Sequence, residues 1–511
     1  MVAGLAAAAG IEAGLVEGHG VVAHGQDRRR GFEGMIIDPV QAPGGREHGS
    51  WYRAPMLTRR TLLGAGLASF RKNAIGARRP KNVLFLMADD LNVSLGCYGH
   101  PQVKTPHIDA LAARGVRFDR MYCQFPLCGP SRASLLTGLR PDTTKVLGNN
   151  VDFRVHRPGV VTLPQLFKNN GYFAGRVGKL FHMNVPGEVG TNRFQDAASW
   201  HHSFSPPGLE DKSPGQRLAM RMAPTQTATD AGQADTNAAD AAIALLEKHR
   251  GEPFFLGVGM LRPHLPWVAP SRFFDLYPAG TIKLAENPPG DHADIPRAHL
   301  GVRPQLWNHM QMPEAHQREA RRAYYASTSY MDEQVGRVLG ALDRLGLRED
   351  TIVAFMGDHG WSLGEHTHWQ KMNLFETNAR VPFVLAAPGQ PGNGQGTRAL
   401  TEFVDVYPTV AALAGLRAPE DLEGQSMTGL LRQPGRRFKK AAFTQLQFEE
   451  RIVGRSMRTE RYRYIVWEGA GGGEELYDHE ADPGEFTNRI DSPAAGALRA
   501  QFARGWRGAR A

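Results

Sequence analysis

Residues 82–90 read Asn-Val-Leu-Phe-Leu-Met-Ala-Asp-Asp. The continuous apolar run Val83–Met87, closed by two carboxylates, has the form of a buried parallel strand. The same form returns at Ile352–Met356, which runs straight into Gly357-Asp358-His359-Gly360, and further strands are expected at Phe254–Met260 and Phe383–Ala387. Helical patterns lie between them, over Pro106–Arg114, Asn237–His249 and Thr162–Asn170, the last stopped by Gly171. In the longest, about Gln317–Leu345, the residues Met331, Val335, Val338, Leu342 and Leu345 step by four and three and so share one face. Strands alternating with helices predict an α/β fold with a mostly parallel central sheet flanked by helices. Ligands bind such sheets beyond the carboxyl ends of the strands. Asp89-Asp90 and Asp358-His359 both stand at such ends, which points to a single site.

The length of 511 residues exceeds one compact core. The pattern divides into a large domain over 80–435 and a small C-terminal α+β unit over 436–511. There, short apolar runs such as Tyr462–Trp467 suggest an antiparallel sheet. Residues 183–230, rich in Pro, Gly, Ser and His, read as a surface insertion. The formal charge is +9, but more than half of the surplus lies in residues 1–80. No basic stripe interleaved with aromatics supports nucleic-acid binding. No run of 18 apolar residues supports an integral membrane segment. Residues 1–55 are Gly/Ala-rich and without period, as in a disordered or spurious extension. Over 56–79, Arg59-Arg60 precede a short, weakly hydrophobic run. This resembles a twin-arginine export signal and implies a periplasmic or secreted protein. Three cysteines cannot build a disulfide framework, and Cys97 and Cys123 can pair or stay reduced.

Asp89, Asp90 and Asp358 are hard oxygen ligands that repel one another without a cation. Ca²⁺ or Mg²⁺ suits them better than zinc. Lys179 and His182 follow a short strand; the first offers fixed positive charge and the second can shuttle a proton. His264 is bracketed by Pro263 and Pro266, and Lys371 comes shortly after the Asp358-His359 pair. The spacing of His366 and His368 fits no zinc motif. Finally, Cys128–Gly138 reads Cys-Gly-Pro-Ser-Arg-Ala-Ser-Leu-Leu-Thr-Gly. It puts a cysteine at the mouth of a helix, Pro130 in its first turn and Arg132 four positions on.

This last stretch resembles the maturation signal of the type I sulfatases of the alkaline-phosphatase superfamily. The resemblance extends over about residues 80–490, through Ala88–Leu91, Ser94–Gly99, Arg140–Thr144, Gly178–His182, Arg262–His264, Asp358–His366, Glu475–Asp478 and Asp482–Glu485. His359 stands where most sulfatases have asparagine, which makes the chain similar to the iduronate-2-sulfatase branch. The resemblance implies that a formylglycine-generating enzyme converts Cys128 to Cα-formylglycine. It implies one divalent cation, Ca²⁺ ahead of Mg²⁺, held by Asp89, Asp90, residue 128, Asp358 and His359. One hydroxyl of the hydrated aldehyde then attacks sulfur, and the second expels sulfate. Lys179, His264 and Lys371 neutralise the sulfate, with His264 as acid, His182 as the base and Arg132 steadying the modified side chain and the metal oxygens. The implied partner is a sulfated carbohydrate, first a 2-O-sulfated uronate. Two alternatives share the motifs: a formylglycine-dependent phosphonate or phosphate ester hydrolase, and a non-catalytic protein that binds sulfated glycans. Specificity is expected in the loops 183–230 and 285–315. The segment Arg154-Val155-His156 is either a carboxylate partner or a solvated loop.

Overall fold

A computed structural model describes residues 82–193, 195–209, 225–227 and 230–508. The candidate extension and export signal lie outside the described residues. The central sheet is built from strands β1 (Asn82–Ala88), β2 (Val116–Phe118), β3 (Phe173–Gly178), β4 (His202–Phe204), β5 (Phe254–Met260), β6 (Thr351–Gly357), β7 (Phe383–Ala386) and β8 (Gly396–Thr397). They lie in the order β8-β2-β7-β6-β1-β5-β3-β4. The run from β6 through β1, β5 and β3 to β4 is parallel, and β7 is reversed against both its neighbours.

The unbroken apolar run of β1 follows from this position. Val83, Phe85 and Met87 enter the core on one face of the sheet, and Leu84, Leu86 and Ala88 enter that on the other. Helices α1 (Pro106–Ala112), α4 (Ala234–His249) and α5 (Glu314–Arg344) cover the second face, while α2 (Cys128–Thr137), α3 (Leu163–Asn169) and α6 (Val406–Ala414) cover the first. The periodic face of α5 is the one that packs: Met331, Val335, Val338 and Leu342 are buried there. Helix α3 starts as its sequence indicates, with a capping box between Thr162 and Gln165.

The tail forms an antiparallel sheet of β9 (Ala442–Phe448), β10 (Ile452–Arg458), β11 (Tyr462–Glu468) and β12 (Gly473–Asp478), followed by α7 (Ala494–Gly508). Leu446, Ile465, Trp467 and Tyr477 pack with Leu127, Met372 and Leu374. This sheet thereby supports the segments that carry Cys128 and Lys371. Cys97 and Cys123 are both free thiols. No helix among the described residues is long and apolar enough to cross a membrane.

Candidate active site

The site lies where β1 and β6 end side by side, with Ala88 paired to Gly357. Asp89, Asp90 and Asp358 follow directly, each fully buried, and each offers an oxygen within 4.8 Å of the others'. Asp90 takes a left-handed backbone conformation, φ 61°. Its carbonyl accepts from the Tyr324 hydroxyl at 2.9 Å, and that hydroxyl accepts from the Asn92 N–H at 2.9 Å. Asp358 Oδ1 accepts from the backbone N–H of Asp90 and of His359, which ties the two strand ends together.

Cys128 is the first residue of α2 and is fully buried. Its Sγ lies 3.0 Å from Lys371 Nζ, 3.3 Å from His359 Nε2 and 3.9 Å from Asp90 Oδ1. One turn on, Arg132 spans two carboxylates, with Nε 2.8 Å from Asp358 Oδ2 and Nη2 2.9 Å from Asp89 Oδ1. Arg132 is therefore tied to the candidate metal oxygens rather than to Cys128 itself.

Strand β3 delivers Lys179 through Gly178. A side chain at 178 would meet the Gly259 carbonyl at 2.0 Å, and φ is +75°, so only glycine fits there. Lys179 Nζ then reaches Asp89 Oδ2 at 2.6 Å, and Lys371 Nζ reaches Asp90 Oδ1 at 2.6 Å. Lys371 also stands 5.5 Å above the Trp361 ring. His264 Nδ1 donates to the Leu265 carbonyl, and its Nε2 lies 3.6 Å from Asp90 Oδ2. The loop bearing it is anchored by Asp235, which accepts from the N–H groups of Leu261 and Arg262. His182 Nε2 contacts Asn184 Oδ1 at 3.0 Å, and its Nδ1 is buried without a partner.

The electrostatics single out Asp90. Burial would raise the Asp89 carboxyl, yet Lys179, His264, Arg132 and Lys371 together hold it well below the usual range. For Asp90, burial wins over His264 and Lys371 and pushes the carboxyl up, and its Oδ2 has no hydrogen-bond partner. Burial opposes ionisation of Cys128, but Lys371 leads the groups that bring its thiol below the usual value. Burial, helped by Lys371 and Lys179 and opposed by Asp90 and Asp89, drives His264 down to about 4, and burial with Lys179 drives His182 down to about 3. His359 runs the other way: burial disfavours its charge, but Asp358 and Cys128 raise it to about 9. Its Nδ1 donates to the Gly360 carbonyl at 2.8 Å, so Nε2 faces the carboxylates. These surroundings demand positive charge at Nε2, whether from a proton or a metal ion.

The donor set fits a divalent cation. It combines three hard carboxylates, one of them with an unpartnered buried oxygen, and an imidazole oriented by its second nitrogen. All ten residues singled out in the sequence thus lie in or beside one cluster. Tyr324, Trp361 and Asp235 support it as well. Trp361 falls inside the Asp358–His366 motif, whereas nothing local marks Tyr324 in the middle of α5. Arg154 is engaged elsewhere, its Nε and Nη2 on Asp196 at 2.9 and 2.8 Å.

An α/β fold with a cation-lined acidic cluster at its sheet edge is the arrangement of the alkaline-phosphatase-like fold, and comparison with known proteins gives its chemistry. The Sulfatase family profile matches residues 81–416, and that of the N-sulphoglucosamine sulphohydrolase C-terminal region matches 364–508. The chain belongs to the sulfatase family. Iduronate 2-sulfatase of Mus musculus is 34% identical, the match covering 86% of this chain and 92% of that one. Choline-sulfatase of Rhizobium meliloti is 31% identical over 81% and 83% of the two chains. Among solved structures, a 2-O GAG sulfatase superposes with TM-score 0.66 at 26% identity, over 83% of this chain and 91% of that one. The phosphonate monoester hydrolase of Agrobacterium radiobacter shares the fold, with TM-score 0.71 at 23% identity, over 84% and 95%.

Proposed function

We propose that this sulfatase removes the sulfate of a 2-O-sulfated uronate in a glycosaminoglycan-like sugar, using Cys128 as the precursor of a formylglycine. The observation that carries the reading is the convergence of Lys371, His359 and Asp90 on Cys128 Sγ at 3.0, 3.3 and 3.9 Å. The iduronate 2-sulfatase relatives at 34% identity support the choice of sugar. Asp89, Asp90, Asp358 and His359, with residue 128, would hold a divalent cation, Ca²⁺ by the hardness of the oxygens. A cation there lends positive charge to the ester and lowers the pKa of an oxygen nucleophile at position 128.

The chain's own residues do the rest. Lys179 and Lys371 bring two ammonium groups to the cluster, where they stabilise an ester oxyanion. His264 is oriented by its Nδ1–H bond to the Leu265 carbonyl, so Nε2 is the atom left to pass a proton to the leaving alcohol; the ring is neutral in the empty site and takes up that proton when the negative charge of the bound ester favours the imidazolium. His182, kept neutral by burial and Lys179, has a free Nδ1 for taking up a proton during sulfate release. Arg132 fixes Asp89 and Asp358 relative to each other.

Burial also bears on maturation. Cys128 has no exposed surface, so a modifying enzyme must reach it before the chain folds. That order agrees with export of the folded protein through a twin-arginine signal at Arg59-Arg60. The decisive experiment is mass spectrometry of the peptide spanning Cys128 from protein purified from its host. Exchange of the thiol for an aldehyde is expected, and active enzyme with thiol fully retained would overturn the proposal.

A further inference from the structure

The 285–315 loop carries a cation that the mechanism above does not use. Arg303 is partly buried, and its backbone sits in the left-handed region at φ 47°. The preceding Val302 is fully buried in the cluster that holds Leu127 and Met372, the neighbours of Cys128 and Lys371. The Val302 carbonyl is fixed by the Trp307 indole N–H at 3.2 Å. Four consecutive residues just beyond, Asn308 to Gln311, also have positive φ between 50° and 57°. A loop that maintains this much unfavourable backbone is held in place by its packing, as binding loops are.

Among the described residues, no hydrogen bond or ion pair engages the Arg303 guanidinium. Arg132, Arg140 and Arg463, by contrast, each donate to at least one carboxylate. Burial disfavours the charge of Arg303, and the charges acting against that effect come from Cys128 and Asp90, which places it within electrostatic reach of the cluster. A guanidinium partly withdrawn from water without an acceptor is costly unless a ligand supplies one. Its planar fork matches a carboxylate.

We propose that Arg303 binds the carboxylate of the sugar whose sulfate is removed and thereby sets the preference for a uronate. This inference rests on the reading of the site as one for a 2-O-sulfated uronate. Sulfate itself has its partners in Lys179, Lys371 and His264, so the second anionic group of such a sugar needs a cation of its own. Arg154, the carboxylate partner considered from the sequence, is already committed to Asp196.

The test compares calcium-loaded, aldehyde-containing wild type with Arg303→Gln and Arg303→Lys. The substrates are a 2-O-sulfated uronate disaccharide and its carboxyl-reduced counterpart. Wild type is expected to favour the carboxylate. In Arg303→Gln the ratio of the two kcat/KM values should fall by about 10- to 100-fold, chiefly through KM. Arg303→Lys should retain part of the ratio, since it keeps charge but loses the fork, and it stands in if the glutamine variant fails to fold. Variants that lose rate equally on both sugars, with the ratio intact, would overturn the role of Arg303 and leave the substrate reading standing. A wild type indifferent to the carboxyl group would overturn the substrate reading and Arg303 with it.

Discussion

Among the described residues, two groups of acids and histidines have spacings that suit a metal ion, and they are built on opposite principles. One is the Asp89, Asp90, Asp358 and His359 cluster, and the other is Glu376, His479 and Glu485 beside the C-terminal sheet. In the second, the fully buried Arg463 already occupies the middle. It donates to Glu376, to Glu485 at 2.5 Å and to Ser456 at 2.9 Å. Arg458 and His479 share the oxygens that Arg463 engages, and Tyr122 and the Glu376 N–H occupy the remaining two. Burial would raise both carboxyls, yet Arg458 and Arg463 hold Glu376 far down, and Arg463 with His479 holds Glu485 at about 2. In the first cluster Asp90 keeps a buried oxygen without a hydrogen bond, and burial raises its carboxyl. Ligand spacing alone thus does not mark a metal site. A buried ligand oxygen left without a hydrogen bond sets the first cluster apart.

The largest effect should come from the group around which the first cluster is arranged. Cys128→Ser lacks the second hydroxyl that releases sulfate, so steady turnover should drop by at least about a thousandfold while the melting temperature holds. Steady-state assay beside thermal melting checks this, and near-wild-type turnover would remove Cys128 from the mechanism. The contrast itself is tested by crossing two substitutions. Asp90→Asn should cost at least about a hundredfold in turnover. It should also abolish stabilisation by added Ca²⁺, which in wild type amounts to about 2.7 kcal/mol at a hundred times Kd. Glu485→Gln should leave activity below its melting point intact but destabilise the fold by about 3–5 kcal/mol, because it strands Arg463. Ca²⁺-dependent melting that responds to Glu485→Gln and ignores Asp90→Asn would reverse the assignment.

A smaller effect is the dependence of stability on pH. The Glu485 carboxyl titrates near 4.5 unfolded and near 2 folded, so between those values the unfolded chain binds more protons. Its contribution, about 3 kcal/mol, is complete above pH 4.5 and is lost as pH falls toward 2. Denaturant midpoints measured between pH 5 and 3 should therefore fall with pH in wild type, and less steeply in Glu485→Gln. Equal slopes would show that Arg463 does not hold Glu485 ionised.

The contrast also marks where sequence reading succeeds. The ends of β1 and β6 are legible because a strand buried on both faces writes an unbroken apolar run, and the carboxylates follow it directly. His264 is legible through its bracketing prolines, and Cys128 through a dense local motif. The clasp at Arg463 is not. Its Glu485 belongs to a recognisable Asp482–Glu485 pattern, but the pairing joins positions brought together by β11 and the segment after β12, and nothing near either residue in sequence announces the other. Arg303 is hidden for a related reason, since an unpaired guanidinium is visible only once every other partner has been placed. The alternation of strand and helix likewise does not reveal that β7 runs against its neighbours, which depends on pairing rather than pattern.

The smallest effect probes how the Asp90 carboxylate is aimed into the cluster. Tyr324 lies mid-helix in α5, and its hydroxyl bridges the Asp90 carbonyl and the Asn92 N–H, each at 2.9 Å. It thus fixes the left-handed turn that aims the Asp90 carboxylate into the cluster without itself touching that carboxylate. Tyr324→Phe keeps the ring packed but leaves two buried backbone groups unsatisfied, a cost of about 1–3 kcal/mol. Because the turn would relax, Ca²⁺ affinity should fall by about tenfold or more, as for other groups that orient metal ligands. Melting curves with and without Ca²⁺ separate the two effects. If Tyr324→Phe lowers both curves by the same amount, the tyrosine only stabilises the fold. If the gap between them narrows, the open oxygen of Asp90 depends on a hydroxyl more than two hundred residues away in the chain.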